Sequence, residues 1–265
     1  MLKRKIRNWM NLSFLKLNPN KTVVKLFEPK YPKSDSRISS LGLQIDKETT
    51  VFSTDIVKIL GVKLGLRLNF EEFIASKIRT CNMHLKNLIN IKYCLPQKTR
   101  TLLVNNLILS TLDYANSLLL CLPNYRIQAL QKVMNKGIRF IFNLKYDDHI
   151  SPYLYKLHFL PVKFRLKFKT CLLAYKIVNE IAPEYLQEQF IKFEPTSKTI
   201  LRPGIGRDKL MLEINLTKIK KNILNSRLIV EWNQLPLKLR SIPEINNFKS
   251  RLKAHYFRIA FADFS

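Results

Sequence analysis

The feature that most restricts the fold of this chain is a change of hydrophobic period at Phe70. Ahead of it, apolar residues come in short runs between turn formers, as strands do. Behind it they recur at helical spacing almost to the end. Residues 71–93 predict a helix with Ile74, Ile78, Cys81, Leu85, Leu88 and Ile89 on one face and Lys77, Arg79, Lys86 and Lys92 over the rest. Pro96 opens a longer apolar helix over 97–122. A third, over 124–143, turns Ile127, Leu130, Val133, Met134, Ile138 and Ile141 inward and Arg126, Lys132, Lys136 and Arg139 outward. Further helices are expected over 162–180, 183–193, 217–232 and 245–257. A loop at 196–208, with Pro203, Gly204 and Gly206, is the expected internal boundary.

The first 65 residues read differently. A short basic helix over 2–12 leads to a turn at Asn18-Pro19-Asn20 and a strand over 23–27. A polar loop over 28–40 follows, then short strands at 41–45 and 51–52. Residues 55–65 read as one strand, with Gly61 marking a bulge or a close backbone approach. The predicted class is therefore α+β, mostly α: a small antiparallel sheet segment, a helical body and a small helical tail.

One joint, over 148–162, concentrates two histidines, several aromatics and two prolines. Ser151 and Pro152 suit the start of a short helix, and Pro161 the start of the next. Leu160 before Pro161 is pushed out of helical geometry. The segment predicts a buried helix-turn-helix corner, its histidines packed and hydrogen-bonded rather than catalytic.

Charge narrows the partner. The chain of 265 residues carries 46 Lys and Arg against 19 Asp and Glu, a net charge of +27, with 46% hydrophobic residues. That excludes a disordered tail and favours a polyanionic partner, nucleic acid before an acidic membrane surface. A small acidic substrate would need one basic pocket, whereas these charges run from Lys3 to Arg258. Cys81, Cys94, Cys121 and Cys171 are scattered, and Asn8, Asn11 and Lys16 interrupt any leader behind Lys3, Arg4 and Lys5. Asp113 and Asn116 break the most apolar stretch, so no bilayer span is expected. Reduced thiols and an intracellular location, nuclear or cytoplasmic, follow.

A series of segments then carries a likeness. In order they are Trp9-Met10 with residues 14–22; Ile59-Leu60-Gly61-Val62 with Leu68-Asn69-Phe70; and Leu112-Asp113-Tyr114 with residues 116–119 and Leu122-Pro123. Leu130-Gln131 with Asn135, residues 148–152 with 157–162, and Ala182-Pro183 with Tyr185-Leu186 come next. Trp232-Asn233 with Leu235-Pro236 and Phe248-Lys249 with Leu252-Lys253 complete the series. Arranged so, nearly end to end, the chain resembles the C-terminal part of the reverse transcriptase of non-LTR (LINE-type, jockey-like) retrotransposons. It departs from that pattern at Val23, Gly65, Phe159 and residues 222–229.

The resemblance implies three parts: the end of a polymerase palm with a primer-grip-like hairpin over 1–65, a helical thumb over 66–145 and a helical C-terminal region over 146–265. It implies as partners an RNA template, an RNA–DNA or DNA primer duplex and the N-terminal polymerase and endonuclease parts, with no membrane and no small-molecule substrate. Nucleotidyl transfer needs paired carboxylates on two Mg²⁺ ions. In this family they lie upstream of the segment matching Trp9, so the chain is expected to lack catalytic residues, metal and cofactor, and to be inactive alone. The pair Asp147-Asp148 follows Tyr146 directly instead of after one spacer residue, at a helix end rather than between strands. Cys81 and His84 have metal-pair spacing with no second pair to complete it.

The residues expected to meet nucleic acid are Lys21, Lys58, Gly61, Lys63, Lys77, Arg79, Lys86, Lys92, Lys98 and Arg100. Each also has an ordinary reading as solvated surface or plain strand. Two further readings stand beside the family one. A basic helical module could dock an acidic protein, and a stand-alone nuclease could use Asp147, Asp148 and His149.

Overall fold

The computed structural model describes residues 9–10, 12–15, 18, 21–25, 27, 42–44, 50–65, 69–192, 210–212 and 224–262. These are mostly helical, with three antiparallel pairs of short strands. The chain forms two compact units, Met1–Ser76 and Lys77–Ser265.

In the first unit, β1 (Gly42–Gln44) pairs with β2 (Thr50–Phe52), and β3 (Val57–Ile59) pairs with β4 (Val62–Leu64). The single strand expected over 55–65 is thus a hairpin. Leu60 and Gly61 adopt φ of 47° and 82°, the pair of left-handed residues that matches the twist of a two-residue turn. Gly61 accepts this freely, whereas Leu60 costs about 1 kcal/mol. The strand expected over 23–27 reduces to a single bridge from Val24 to Ser53. The Lys25 ammonium donates to the carbonyls of Thr54 and Asp55, at 2.8 and 2.6 Å. Most of the helix expected over 2–12, and the loop over 28–40, lie outside the described residues.

Helix α1 (Glu71–Asn90) contains the boundary between the units. It buries Ile74, Cys81, Leu85 and Leu88 as its period predicts, but Ile89 is exposed. Ile89 lies next to Leu88 and turns off the buried stripe, near the helix end. Pro96, in extended geometry, starts α2 (Gln97–Leu103), which runs into a π-helical segment (Val104–Leu109) and α3 (Ser110–Asp113). The one helix expected over 97–122 stops there. Tyr114 is extended, Ala115 is left-handed at φ 49°, and a 3₁₀ segment (Asn116–Cys121) follows. Lys77 supplies the reason: its ammonium donates to the carbonyls of Thr111, Leu112 and Tyr114, satisfying acceptors that a further helical turn would otherwise have to meet.

Helix α4 (Asn124–Phe142) buries the predicted Leu130, Val133, Met134, Ile138 and Ile141. A Cβ added at Gly137 would stand 3.0 Å from Val104 Cγ1, so glycine gives this backbone a close approach to the π segment that a larger residue would have only if Val104 shifted by a few tenths of an ångström. After it come α5 (Ser151–Lys156) and α6 (Val162–Val178). All three end alike: a left-handed residue stands one or two places past the helix, and the next N–H reaches back five residues. Glycine is usual at that place, yet Asn143, His158 and Glu180 occupy it, at φ 59°, 52° and 59°. The returning bonds are Leu144 to Arg139, Phe159 to Leu154 and Ile181 to Lys176.

The corner at 148–162 forms as expected in outline. Pro152 lies in the first turn of α5, Pro161 precedes α6, and Ile150, Leu154, Leu160 and Val162 are buried. Its histidines are not packed inside. His149 and His158 are both exposed, because the left-handed step carries His158 off the buried seam.

Helix α6 is the centre of the second unit. It packs on the 3₁₀ segment, on α4, on α8 (Leu224–Asn233) and on α10 (Ile245–Ala260). The junction expected near 145 therefore lies inside one compact unit. Tyr175 stacks on Phe248 with ring centres 4.2 Å apart and donates its hydroxyl to the Pro243 carbonyl at 2.6 Å. Trp232, fully buried, closes the same cluster. The helix expected over 183–193 shrinks to α7 (Glu184–Gln187), after which β5 (Phe190–Lys192) pairs with β6 (Leu210–Leu212). The expected loop over 196–208 lies outside the described residues. A short α9 (Leu237–Arg240) follows Pro236, where Arg240, buried, donates to the Leu235 carbonyl at 3.2 Å.

Candidate nucleic-acid interface

The ten expected contact residues separate by unit and by what their side chains already hold. In the first unit Lys21 and Lys58 are exposed, and Gly61 is exposed at the hairpin tip. Lys58 stands opposite Lys63 across the hairpin, a like-charge pair that costs a few tenths of a kcal/mol to about 1. Glu72 offsets it, with a carboxylate oxygen 3.2 Å from the Lys63 ammonium.

In the second unit two of the expected cations are occupied internally. Lys77 is buried, and its three short bonds to carbonyls, at 2.5, 3.2 and 2.6 Å, close the C-terminal end of α3. Burial lowers its pKa from 10.5 to about 8, against the opposing pull of Cys81 and Asp113. The expectation that Lys77 lies on the outer face is corrected: its charge answers carbonyl dipoles. Arg100, half-buried, donates from Nη1 to the Phe140 carbonyl at 3.0 Å, in the last turn of α4.

Two others come together. Lys86 and Lys92 line a groove of about 540 Å³ between α1 and α4, opposite Lys136 and Arg139. Its floor is apolar, with Leu85, Ile89, Phe140 and Leu144, and Asn82 and Asn90 supply amides. No acidic side chain lines it. The Lys136 ammonium donates to Asn82 Oδ1 at 3.1 Å, tying the walls together. Lys92 lies 5.7 Å over the Tyr93 ring. The Arg139 guanidinium donates to the carbonyls of Lys145 and Tyr146, at 3.2 and 2.7 Å, and more weakly to that of Asp148. It holds the turn after α4 while keeping its charge at the groove rim. Arg79, exposed two turns before Lys86, extends the same helix face, and Lys98 is exposed on α2. Lys136 and Arg139 fall between the inward positions Val133, Met134, Ile138 and Ile141 of α4. That spacing placed them outward without indicating which outer surface they share with α1.

Asp147 and Asp148 are exposed on a turn, and the Asp148 carboxylate accepts the Lys145 N–H at 2.7 Å. Among the described residues no three His, Cys, Asp or Glu side chains group as metal ligands. Cys81 is buried against the Ile108 carbonyl, and burial pushes its thiol up to about 11, which fits a core residue and not a ligand. No helix among the described residues is long and apolar enough to cross a membrane. Comparison of the chain with protein-family models, curated proteins and solved structures returns no match.

Proposed function

We propose that this chain is the C-terminal part of a non-LTR retrotransposon reverse transcriptase: the end of the palm, the thumb and the helical region beyond. Its task in this reading is to hold the RNA template and the RNA–DNA or DNA primer duplex by their phosphates. The carboxylate pair and Mg²⁺ that join nucleotides belong to the polymerase part, and target cleavage belongs to the endonuclease part.

The observation that carries the reading is the groove between α1 and α4. Four cations face one another there over an apolar floor with no acid among them. Such a surface suits a polymer of phosphates, which needs cations in a row and no base-specific chemistry.

The test is binding of an RNA–DNA hybrid to the purified chain from 50 to 200 mM salt. Each phosphate contact contributes about 0.9 to the slope of log affinity against log salt. Replacing Lys86, Lys92 and Lys136 together by Gln should lower that slope by about 2 to 3, equally for unrelated sequences. An unchanged slope would remove the groove from the interface. Templated dNTP incorporation by the chain alone would refute its assignment as the non-catalytic part.

A further inference from the structure

A second cleft, of about 460 Å³, lies between α5 and α10 and differs in kind from the groove. Its walls are aromatic. Tyr155, His158 and Phe257 form a triangle with ring centres 6.4, 5.2 and 5.2 Å apart, every pair tilted by 33° to 36°. Phe261 closes the base, 5.7 Å edge-on to Tyr155 and 4.7 Å from Phe257. Lys253 and Arg258 stand at the rim, and no acid lines the cleft. Helix α10 as a whole carries Lys249, Arg251, Lys253 and Arg258 and no Asp or Glu.

Two of these rings are held outward. Tyr155 is 40% exposed. His158 is exposed at the left-handed position past α5, where glycine would relieve about 1 kcal/mol. An apolar wall alone would suit any greasy partner. Flat rings flanked only by cations suit an occupant that is flat, aromatic and linked to phosphate.

We propose that this cleft takes an unpaired nucleobase of a single-stranded RNA or DNA, stacked on Tyr155 and His158, with Lys253 and Arg258 on the adjoining phosphates. Stacking is worth about 1–3 kcal/mol per base and tolerates any sequence, while the cations track the backbone. An acidic peptide would meet the cations and leave the rings unused. A lipid surface would bury the rings but not discriminate base from no base. The proposal rests on the reading of the chain as a nucleic-acid binder, but not on the groove.

The experiment compares a single-stranded oligonucleotide with the same backbone carrying abasic sites. The wild-type chain should bind the natural strand roughly 5- to 150-fold more tightly, as one stacked base implies. The double variant Tyr155→Leu, His158→Asn should lose that preference with its salt slope unchanged. Asn tolerates the left-handed backbone at 158, so the fold is kept, and circular dichroism checks it. Equal binding of natural and abasic strands by the wild type overturns the proposal, as does an unaltered preference in the double variant. Anionic vesicles or polyglutamate displacing the strand as well as natural oligonucleotide does would also overturn it. The groove variant Lys86→Gln, Lys92→Gln, Lys136→Gln should keep the base preference while its hybrid binding weakens. Failure of the groove and failure of the cleft are thereby told apart.

Discussion

Asp113 is the side chain whose removal should weaken the second unit most for its size. It ends α3, and its carboxylate takes two bonds from the Arg165 guanidinium on α6, at 3.0 Å to Oδ1 and 2.5 Å to Oδ2. Lys169 adds a cation at 3.6 Å, and Asn116 donates weakly to Oδ1 at 3.4 Å. The Asp113 and Arg165 side chains are 18% and 19% exposed, so water screens the pair only in part. Removing one partner of a buried pair costs about 3–5 kcal/mol, and partial exposure brings the expectation for Asp113→Ala to about 2–3 kcal/mol. Asp113→Asn keeps one acceptor and should lose about half of that. Urea unfolding followed by Trp232 fluorescence in a Trp9→Phe background reads the second unit alone, because the chain has two tryptophans and Trp232 is fully buried. A cycle with Arg165→Met should give a coupling of about 2 kcal/mol. Coupling under about 0.5 kcal/mol would show that the pair is incidental and that apolar packing alone joins α3 to α6.

Three further outcomes follow from side chains that finish helices. Lys77 holds its proton less tightly folded, at about 8, than unfolded, at 10.5, so its contribution to stability rises with pH across that window by up to roughly 3 kcal/mol. The stability gap between wild type and Lys77→Met should therefore widen in favour of wild type from pH 8 to 10.5; a constant gap by urea titration refutes it. Cys171, its thiol raised to about 12, opposes this above pH 9 in both proteins alike, whereas Cys81, raised to about 11 against the pull of Lys77, opposes it more in Lys77→Met and widens the gap further. Gln131 Oε1 accepts the first N–H of α6, from Val162, at 2.7 Å. Gln131→Met should cost about 1–2 kcal/mol and Gln131→Glu little or nothing, and equal losses in thermal melts would exclude this role. Glu180→Gly relieves a left-handed backbone and an acid at a helix C-terminus, for a gain of about 0.5–1 kcal/mol; a lowered urea midpoint would contradict it.

The sequence reveals the helices better than their ends. Residues 124–142 show their buried face because large apolar residues repeat without interruption and Pro123 and Asn143 bracket them. Residues 97–122 mislead because apolar content continues past Asp113, while the backbone turns at Ala115 under the grip of Lys77, a contact across 34 residues of chain. No periodicity records such a contact. The same blindness put Lys77 on the surface, since a lysine on a polar stripe is ordinarily solvated. The groove was half legible: Lys86 and Lys92 were named, whereas Lys136 and Arg139 share it through the packing of α4 against α1. The residues that carry the family likeness mostly hold structural places here. Asp113 and Gln131 tether α6, and Trp232 and Phe248 fill its core. They therefore speak to architecture more than to chemistry.

The π-helical turn at Val104–Leu109 has a consequence for how this chain tolerates changes of length. Each of its bonds spans one residue more than an α-helical bond does. Successive side chains of an α-helix are about 100° apart, so everything beyond the turn is swung by about that much from where an unbroken helix would leave it. Asp113 meets Arg165 only in that swung frame. A single-residue deletion at exposed Asn105 or Asn106 would restore α-helical winding and remove the same rotation of about 100°, so the carboxylate would still face Arg165. Substitutions there should be silent, and so should the loss of one residue, so in related chains single gaps should gather at these six positions rather than elsewhere in the helix.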